Sequence, residues 1–232
     1  MQIYIYILSG QPKICVMAQR TRAAHHQERS RATASRLLEA AEAVLEKRGL
    51  EGASVPEIAR RAQVSPASIY RRFVDKDGLL REVFERFFER SIQANELALQ
   101  PSRWKSTSLE KSVCALIAGM VAAYSQRPGL LRAVITYSEQ HPDPAFRRRA
   151  LELRERSMAG IERIVLLHVK EIKHPQPKKA VRIALQLVSL ALKERIRPAG
   201  TLAGKPLPAE ELRVELARMF LGYLQNKTAR VS

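Results

Sequence analysis

The stretch SVPEIARRAQVSPASIYRRF, residues 54–73, decides the fold because it contains two helix starts close together. At the first, Ser54 is followed three residues later by Glu57, which is the spacing of a capping box. We expect the Ser54 hydroxyl to accept from the backbone N–H of Glu57, and the Glu57 carboxylate to reach back to the cap. Pro56 falls in the first turn, where no backbone donor is needed. A short helix that ends near Ala62 is therefore predicted.

The second start follows after a break of three residues, 63–65. Ser65 precedes a proline at the first helical position, which is an N-cap arrangement, and a helix is predicted over residues 66–73. Two short helices joined by three residues have the geometry of a helix-turn-helix. Ile69 and Phe73 lie four residues apart, so both are expected to point inward while the remaining positions face outward.

Amphipathic helices flank this pair. Apolar residues recur at the spacing of one helical face over residues 30–48, and Gly49 follows as a helix stop. Asp75 is expected to cap a fourth helix that continues to Pro101. Later helices, separated by breaks rich in Pro or Gly, are predicted at residues 109–125, 129–138, 144–173, 177–196 and 209–227. The sequence therefore predicts an all-α fold of about nine helices, with a three-helix N-terminal helix-turn-helix domain.

The charge of the chain indicates an anionic partner. The formal net charge is +17, and such a surface attracts polyanions, nucleic acid first and anionic membrane second. Residues 1–36 hold six Lys or Arg against one acid, residues 37–90 hold ten against ten, and residues 91–232 hold 24 against 12. The C-terminal excess is either a solubilising surface, or an anion-binding pocket or DNA-flanking surface, and the sequence leaves these alternatives open.

Several classes of protein are disfavoured. Cys15 and Cys114 are far apart, which fits a reducing cytoplasm and argues against a disulfide framework or a zinc site. The five histidines show no metal-ligand pairing on a helix face, and there is no Gly-rich phosphate loop or nucleophile elbow, so we expect neither an enzyme nor a cofactor. The longest apolar stretches are shorter than the roughly 18 residues that span a bilayer.

The N-terminus has its own composition. Residues 1–16 are β-branched and aromatic at their start and lack the basic segment of an export signal. We expect them to be an upstream extension before Met17 or a disordered tail. A basic arm follows, with Arg20, Arg22, Arg29 and Arg31. It either follows the DNA backbone or enters a minor groove, or it is a solvated tail.

Residues 33–80 resemble the tetracycline-repressor (TetR/AcrR) family of bacterial transcription regulators. The matching residues are Leu38-Glu-Ala-Ala41, Val44-Leu45, Arg48-Gly49, Ser54-Val55, Glu57-Ile58-Ala59, Ala62, Val64-Ser65, Ile69-Tyr70, Phe73, Asp75-Lys76 and Leu79-Leu80. Two positions depart from the family, which usually has Gly at Gln63 and often at Ala67. The predicted domains are a disordered or basic arm over residues 1–29 and a helix-turn-helix DNA-binding domain over 30–78, and the resemblance implies a helical ligand-binding and dimerisation domain over 79–232.

The second helix of a helix-turn-helix enters the major groove. Arg71 or Arg72 is expected either to pair with guanine or to contact phosphate or solvent. The resemblance implies that the hydroxyl of Tyr70 reaches a phosphate, although core packing alone would also explain it. Lys76 begins the fourth helix, whose N-terminus favours a phosphate. The complete set of predicted DNA-binding residues is Ser54, Ser65, Pro66, Ala67, Ser68, Tyr70, Arg71, Arg72 and Lys76.

One short helix contacts too little DNA, so two copies on a palindrome are expected, with half-sites about 34 Å apart or more. By resemblance, the last two helices form an intersubunit four-helix bundle. The predicted interface residues are Val181, Leu185, Val188, Leu192, Leu212, Leu216, Met219, Phe220 and Tyr223. Apolar and aromatic residues suited to lining a ligand cavity, or simply the core, are Met120, Tyr124, Ile135, Tyr137, Phe146 and Met158.

The sequence therefore favours a cytoplasmic, homodimeric transcriptional repressor that a small-molecule ligand releases from double-stranded operator DNA. An alternative is an architectural or protein-partnered DNA-binding factor of the same fold without an inducer. A membrane-surface protein is a third possibility, motivated by the charge alone.

Overall fold

The computed structural model describes residues 22–197 and 207–226, with the backbone only for residues 22–30. These residues form nine α-helices and no strand, which confirms the all-α prediction. The helices are α1 (Arg22–Gly52), α2 (Val55–Ala62), α3 (Pro66–Tyr70), α4 (Lys76–Ala98), α5 (Leu109–Gln126), α6 (Pro128–Gln140), α7 (Pro144–Leu166), α8 (Pro177–Arg195) and α9 (Ala209–Gln225). No helix of the described residues is long and apolar enough to cross a membrane.

The chain divides into two compact units, and the division falls inside α4, between Phe87 and Phe88. The sequence predicted the boundary between residues 78 and 79, which is nine residues earlier. The first half of α4 stays with the N-terminal unit because its apolar side chains, among them Leu79, Val83 and Phe84, are fully buried. Helix α1 also begins earlier than expected, at Arg22, so the end of the predicted arm is helical. The predictions for residues 1–21, including Arg20 and the extension before Met17, lie outside the described residues.

The N-terminal unit is built on the apolar face of α1 that the sequence pattern indicated. Leu37, Ala41 and Leu45 are fully buried, and α1 packs on α2, which packs on α3. Each of the two fully buried leucines contributes about 1.5–3 kcal/mol of transfer free energy. The helix-turn-helix is therefore held by a continuous core.

Gly49 breaks the helical backbone of α1, as the sequence predicted, with φ 66° and ψ −171°. This combination of angles is open essentially to glycine alone. A Cβ atom built at Gly49 has no heavy atom within 4 Å, so a substitution there meets no steric obstacle from its neighbours. The requirement for glycine lies in the backbone.

Replacing Gly49 by alanine is expected to lower the free energy of unfolding by about 1–3 kcal/mol, because alanine strains the backbone at these angles. Gly78→Ala in the first turn of α4 is the matched control, since its Cβ would make only an ordinary contact at 3.6 Å with Asp75 Oδ1. Urea denaturation of both variants measures the difference. Equal stability of the two variants would contradict the strain argument.

The C-terminal unit is organised around α5, which packs on α9 and also contacts α6, α7 and α8. The α8 residues that the sequence assigned to a dimer interface, Val181, Leu185, Val188 and Leu192, are at most 2% exposed within the single chain. They belong to the core of the unit and leave no surface for a partner, so the interface prediction is corrected at these four positions. On α9, Leu216 and Phe220 are buried in the same way.

A polar cluster, partly buried, joins the start of α5 to the 3-10 helix Val169–Glu171, which follows α7. The hydroxyl of Ser112 lies 2.8 Å from Nε2 of His168, and His168 Nδ1 lies 3.4 Å from the Glu171 carboxylate. The other carboxylate oxygen of Glu171 accepts from the backbone N–H of Leu109 at 3.0 Å. Ser112 is fully buried and His168 is 6% exposed. The Ser112 hydroxyl and the His168 ring are therefore shielded from solvent, and the cluster links the start of α5 to the segment that follows α7.

Candidate nucleic-acid interface

The start of α2 agrees in part with the predicted capping box. The Ser54 hydroxyl accepts from the backbone N–H of Glu57 at 3.4 Å, and a proline occupies the first turn. The Glu57 carboxylate does not reach back to the cap. It instead accepts two hydrogen bonds from the Arg60 guanidinium, at 2.8 and 3.1 Å, and lies 3.6 Å from Arg48. The hydrogen bond from Arg60, with the nearby arginine charges, lowers the pKa of Glu57.

The turn between α2 and α3 closes through Gln63, which adopts the left-handed conformation with φ 57° and ψ 45°. Gln63 is the one non-glycine residue with positive φ in the described parts of the chain. This conformation costs an L residue about 1–2 kcal/mol. Backbone hydrogen bonds from Gln63 to Arg60 and from Val64 to Ala59 hold the turn nevertheless. The departure from the family's glycine therefore leaves the geometry of the motif intact.

Helix α3 is shorter than predicted, since regular helix ends at Tyr70. The chain continues as tight turns in which the backbone N–H of Phe73 donates to the carbonyl of Ile69 at 2.8 Å. Ile69 is fully buried and Phe73 is 4% exposed, which confirms that both point inward. These two side chains fix the orientation of α3, so the positions between and before them face outward.

The outward face of α3 carries a line of three hydrogen-bonded side chains. The hydroxyls of Ser65 and Ser68 lie 3.0 Å apart, and Nη2 of Arg71 donates to the Ser68 hydroxyl at 3.0 Å. Ser65 occupies the N-cap position, but its side chain makes no capping hydrogen bond because it pairs with Ser68. The guanidinium of Arg71 remains exposed. The serines therefore orient an arginine on the surface.

The other predicted residues of α3 are also on this surface. Pro66 and Ala67 are exposed. Tyr70 is 55% exposed, so core packing alone does not account for it. The guanidinium carbon of Arg72 lies 5.9 Å from the centre of the Phe73 ring, within range of a cation–π contact. Eight of the nine predicted DNA-binding residues thus lie on or beside the exposed surface of the two short helices.

Lys76 differs from these residues because its ammonium group is already used within the protein. It lies at the start of α4, as predicted, but Nζ donates to the carbonyl of Leu50 at 3.3 Å and the side chain is half-buried. Asp75 accepts from the backbone N–H of Gly78 at 2.8 Å, which confirms the predicted cap. Lys76 ties the start of α4 to the end of α1, a contact between residues 26 positions apart that local pattern could not indicate.

Arg61 is a surface cation that the sequence reasoning missed. It is exposed in the last turn of α2, directly before the turn of the motif. Its neighbour Arg60 is committed to Glu57. The sequence shows two adjacent arginines, Arg60 and Arg61, but it does not show which of them forms an ion pair with an acidic residue and which remains exposed.

The comparisons with known proteins agree with this geometry. Residues 37–83 match the family model described as bacterial regulatory proteins, tetR family. This chain carries the TetR-family DNA-binding domain. The match covers α2 and α3 together with the second half of α1 and the start of α4. A search of curated proteins found no match to the sequence.

Solved structures show that the TetR fold extends beyond this domain. A protein from Mesorhizobium loti MAFF303099 assigned to the same family has 21% identity and a TM-score of 0.63, over 84% of this chain and 96% of that one. The TetR-family regulator PfmR from Thermus thermophilus has 19% identity and a TM-score of 0.60, over 82% of this chain and 100% of that one. A TetR regulator from Haloarcula marismortui ATCC 43049 has 17% identity and a TM-score of 0.62, over 84% of this chain and 97% of that one. The chain has the fold of a TetR-family transcriptional regulator.

The residues proposed to line a ligand cavity in the C-terminal unit of this TetR fold are not gathered around one cavity. Met120 and Phe146 are buried, and the Phe146 ring packs edge-on against Tyr137, with centres 5.4 Å apart. Ile135, Met158 and Tyr124 each border a different open cleft. The described residues contain no group of three His, Cys, Asp or Glu side chains placed to hold a metal ion.

Proposed function

We propose that the protein is a homodimeric transcriptional repressor that binds operator DNA through α2 and α3 and is released by a small molecule. The observation that supports this most directly is the outward face of α3. There Arg71, oriented by Ser68, lies beside the exposed ring of Tyr70, while Ile69 anchors the helix from within. An arginine presented in this way suits bidentate pairing with guanine O6 and N7.

Replacing Arg71 by alanine is expected to weaken operator binding by about tenfold to hundredfold, which corresponds to the roughly 1–3 kcal/mol of a bidentate base contact. The measurement is binding to the DNA that flanks the protein's own gene, at several salt concentrations, with nonspecific DNA as the comparison. If Arg71 contacts a base, the variant loses affinity for the operator but not for nonspecific DNA. If it contacts a phosphate, both DNAs lose affinity and the salt slope falls by about 1.

Arg81→Ala is the matched control, because it removes the same charge from the same unit at a side chain that pairs with Asp77 at 2.9 Å. It is expected to leave the preference for operator over nonspecific DNA unchanged. Wild-type binding that is equal for both DNAs would refute a sequence-specific regulator and favour an architectural role.

A dimer is proposed on the exposed faces of α8 and α9. Leu187 and Leu190 of α8 are 48% and 61% exposed, and Val214, Met219 and Tyr223 of α9 are 38%, 40% and 36% exposed. Apolar side chains are unusual in such number on two solvent-facing helices that pack together. Met219 and Tyr223 were in the predicted interface, whereas the α8 residues are displaced from the predicted stripe to the opposite face.

Release by a ligand follows if a small molecule favours a conformer of the dimer that fits the operator poorly. The C-terminal unit contains open clefts with volumes between about 210 and 730 Å³. Addition of small molecules to the operator complex tests this step. Operator binding that no compound perturbs would favour the alternative of a protein-partnered factor without an inducer.

A further inference from the structure

Arg71 keeps helical geometry although the regular helix α3 ends one residue before it. Its backbone angles are φ −68° and ψ −22°, and its N–H donates to the carbonyl of Ala67 at 3.0 Å. Residues four positions apart lie on the same face of a helix. Arg71 therefore shares the outward face of α3 with Ala67, one turn after it, and both residues are exposed.

The Arg71 side chain is folded back along this face. Nη2 donates to the hydroxyl of Ser68, three residues nearer the start of α3, at 3.0 Å. The guanidinium therefore stays close to α3 instead of extending beyond its end. In helix-turn-helix complexes, the first residues of the second helix contact base edges, whereas the first helix crosses the DNA backbone. The hydrogen bond thus brings a charge from the end of α3 to the side on which bases are read.

The Ser68 hydroxyl is used within the protein on two sides. It accepts from Arg71, and it also shares a hydrogen bond of 3.0 Å with the Ser65 hydroxyl. Ser65 makes no capping hydrogen bond with the backbone. A hydroxyl with two partners inside the protein keeps at most one site for DNA. The main effect of Ser68 on DNA binding is therefore exerted through the arginine that it holds.

The composition of the outward face limits which bases it can read. Residues 65–72 include no Asn, Gln, Asp or Glu. Amide side chains are the usual partners of adenine and carboxylates those of cytosine, whereas arginine pairs with the O6 and N7 acceptors of guanine. A small apolar group such as the Ala67 methyl suits contact with the methyl group of thymine. This face therefore matches guanine and thymine.

We propose that Ser68 is a positioning residue that holds Arg71 against a guanine of the operator, with the Ala67 methyl against a nearby thymine. The rise from Ala67 to Arg71 is about 6 Å, so the two bases lie within about two base-pair steps of each other. This inference rests on the proposed function, because it requires α3 to enter the major groove of operator DNA. It assigns Arg71 to a base and not to a phosphate.

The proposal is tested by selecting binding sites for the full-length protein from duplex DNA with a randomised centre of about 30 base pairs, which is long enough for two half-sites. The wild type is expected to select half-sites with one guanine preferred by about tenfold or more. Arg71→Ala and Ser68→Ala are each expected to lose this preference while the other selected positions stay the same. Ser68→Thr, which keeps the hydroxyl, is expected to retain it.

Ser35→Ala is the matched control for the serine variants. Ser35 lies in the same unit but outside α2 and α3, it is half-buried like Ser68, and its hydroxyl donates to the Glu39 carboxylate at 2.8 Å. This variant is expected to select the same sequences as the wild type. Thermal unfolding of each variant checks that the loss of guanine preference does not come from an unfolded domain.

Titration of the selected duplex shows whether Ser68 acts through Arg71. In the Arg71→Ala background, Ser68→Ala is expected to cause no further loss of affinity, because the side chain that it positions is gone. Additive losses would mean that Ser68 contacts DNA itself and would overturn the positioning role.

The thymine contact is tested with the same duplex. Replacing the selected thymine by deoxyuridine, which lacks the methyl group, is expected to weaken wild-type binding by about threefold. Ala67→Gly, which lacks the protein methyl, is expected to bind both duplexes equally. Comparing two duplexes within one variant cancels any effect of glycine on helix stability. Equal effects of deoxyuridine on the wild type and on Ala67→Gly would overturn this contact.

The outcomes separate this inference from the proposed function. A guanine preference that survives in Ser68→Ala, or a selected site in which no guanine depends on Arg71, would overturn the inference and leave a sequence-specific regulator in place. If the wild type selects no sequence at all, the proposed function is refuted and the inference is refuted with it.

Discussion

Replacing Leu187 and Met219 together by glutamate is expected to convert the protein into a monomer and to weaken operator binding by about a hundredfold or more. Both side chains are large, apolar and more than one third exposed on the outer faces of α8 and α9. Buried charges without partners would oppose association of two such faces. A monomer then loses the gain of about 10²–10⁴ that two linked binding sites provide.

Light scattering at micromolar concentration measures the oligomeric state, and titration of operator DNA measures the affinity. Leu97→Glu, at an apolar side chain of α4 that is 54% exposed and outside α8 and α9, serves as the control and is expected to remain a dimer. Circular dichroism should show that all variants are folded, because none of these side chains belongs to the core. A double variant that remains dimeric would refute the proposed interface.

Replacing His168 by alanine is expected to lower the free energy of unfolding by about 2–4 kcal/mol. The imidazole is 6% exposed and lies between the buried Ser112 hydroxyl and Glu171. Its removal leaves a cavity and takes a partner from a buried hydroxyl, and both effects are destabilising. The effect should be transmitted to the start of α5, whose backbone N–H at Leu109 depends on the same carboxylate.

His174→Ala is the matched control, since this histidine is only half-buried and accepts one backbone hydrogen bond from Gln176 in an exposed turn. It is expected to cost less than about 1 kcal/mol. Chemical denaturation of both variants gives the comparison, and hydrogen exchange at the start of α5 locates the loss. A small effect at His168, equal to that at His174, would show that the cluster does not stabilise the fold.

The helix-turn-helix could be predicted because its determinants are local. The Ser54 cap, the proline in the first turn and the cap at Asp75 each involve groups no more than three residues apart. The inward positions of Ile69 and Phe73 follow from helical spacing. Local spacing did not predict which of two nearby groups a side chain bonds, since the Glu57 carboxylate accepts from Arg60 instead of from the backbone N–H of its helix cap.

Helix α8 shows what the spacing of apolar residues in a sequence can predict and what it cannot. The apolar stripe that contains Val181 and Leu185 indicated correctly that one face of this helix is buried. Periodicity does not tell whether the covering surface is the same chain or a second copy, because both remove apolar area from water equally well. Here the covering helices belong to the chain itself, and the unpartnered apolar side chains lie on the other face, at Leu187 and Leu190.

The sequence by itself determined the all-α class, the two short helices of the DNA-binding domain and the family to which that domain belongs, because caps, helical periods and turns depend on neighbours along the chain. The tertiary structure alone decided that Lys76 bonds Leu50, that His168 joins Ser112, and that the Tyr124 hydroxyl is left without a hydrogen-bond partner among the described residues. Each depends on groups brought together from distant positions, whose distances, burial and remaining hydrogen-bonding capacity exist only after the helices have packed.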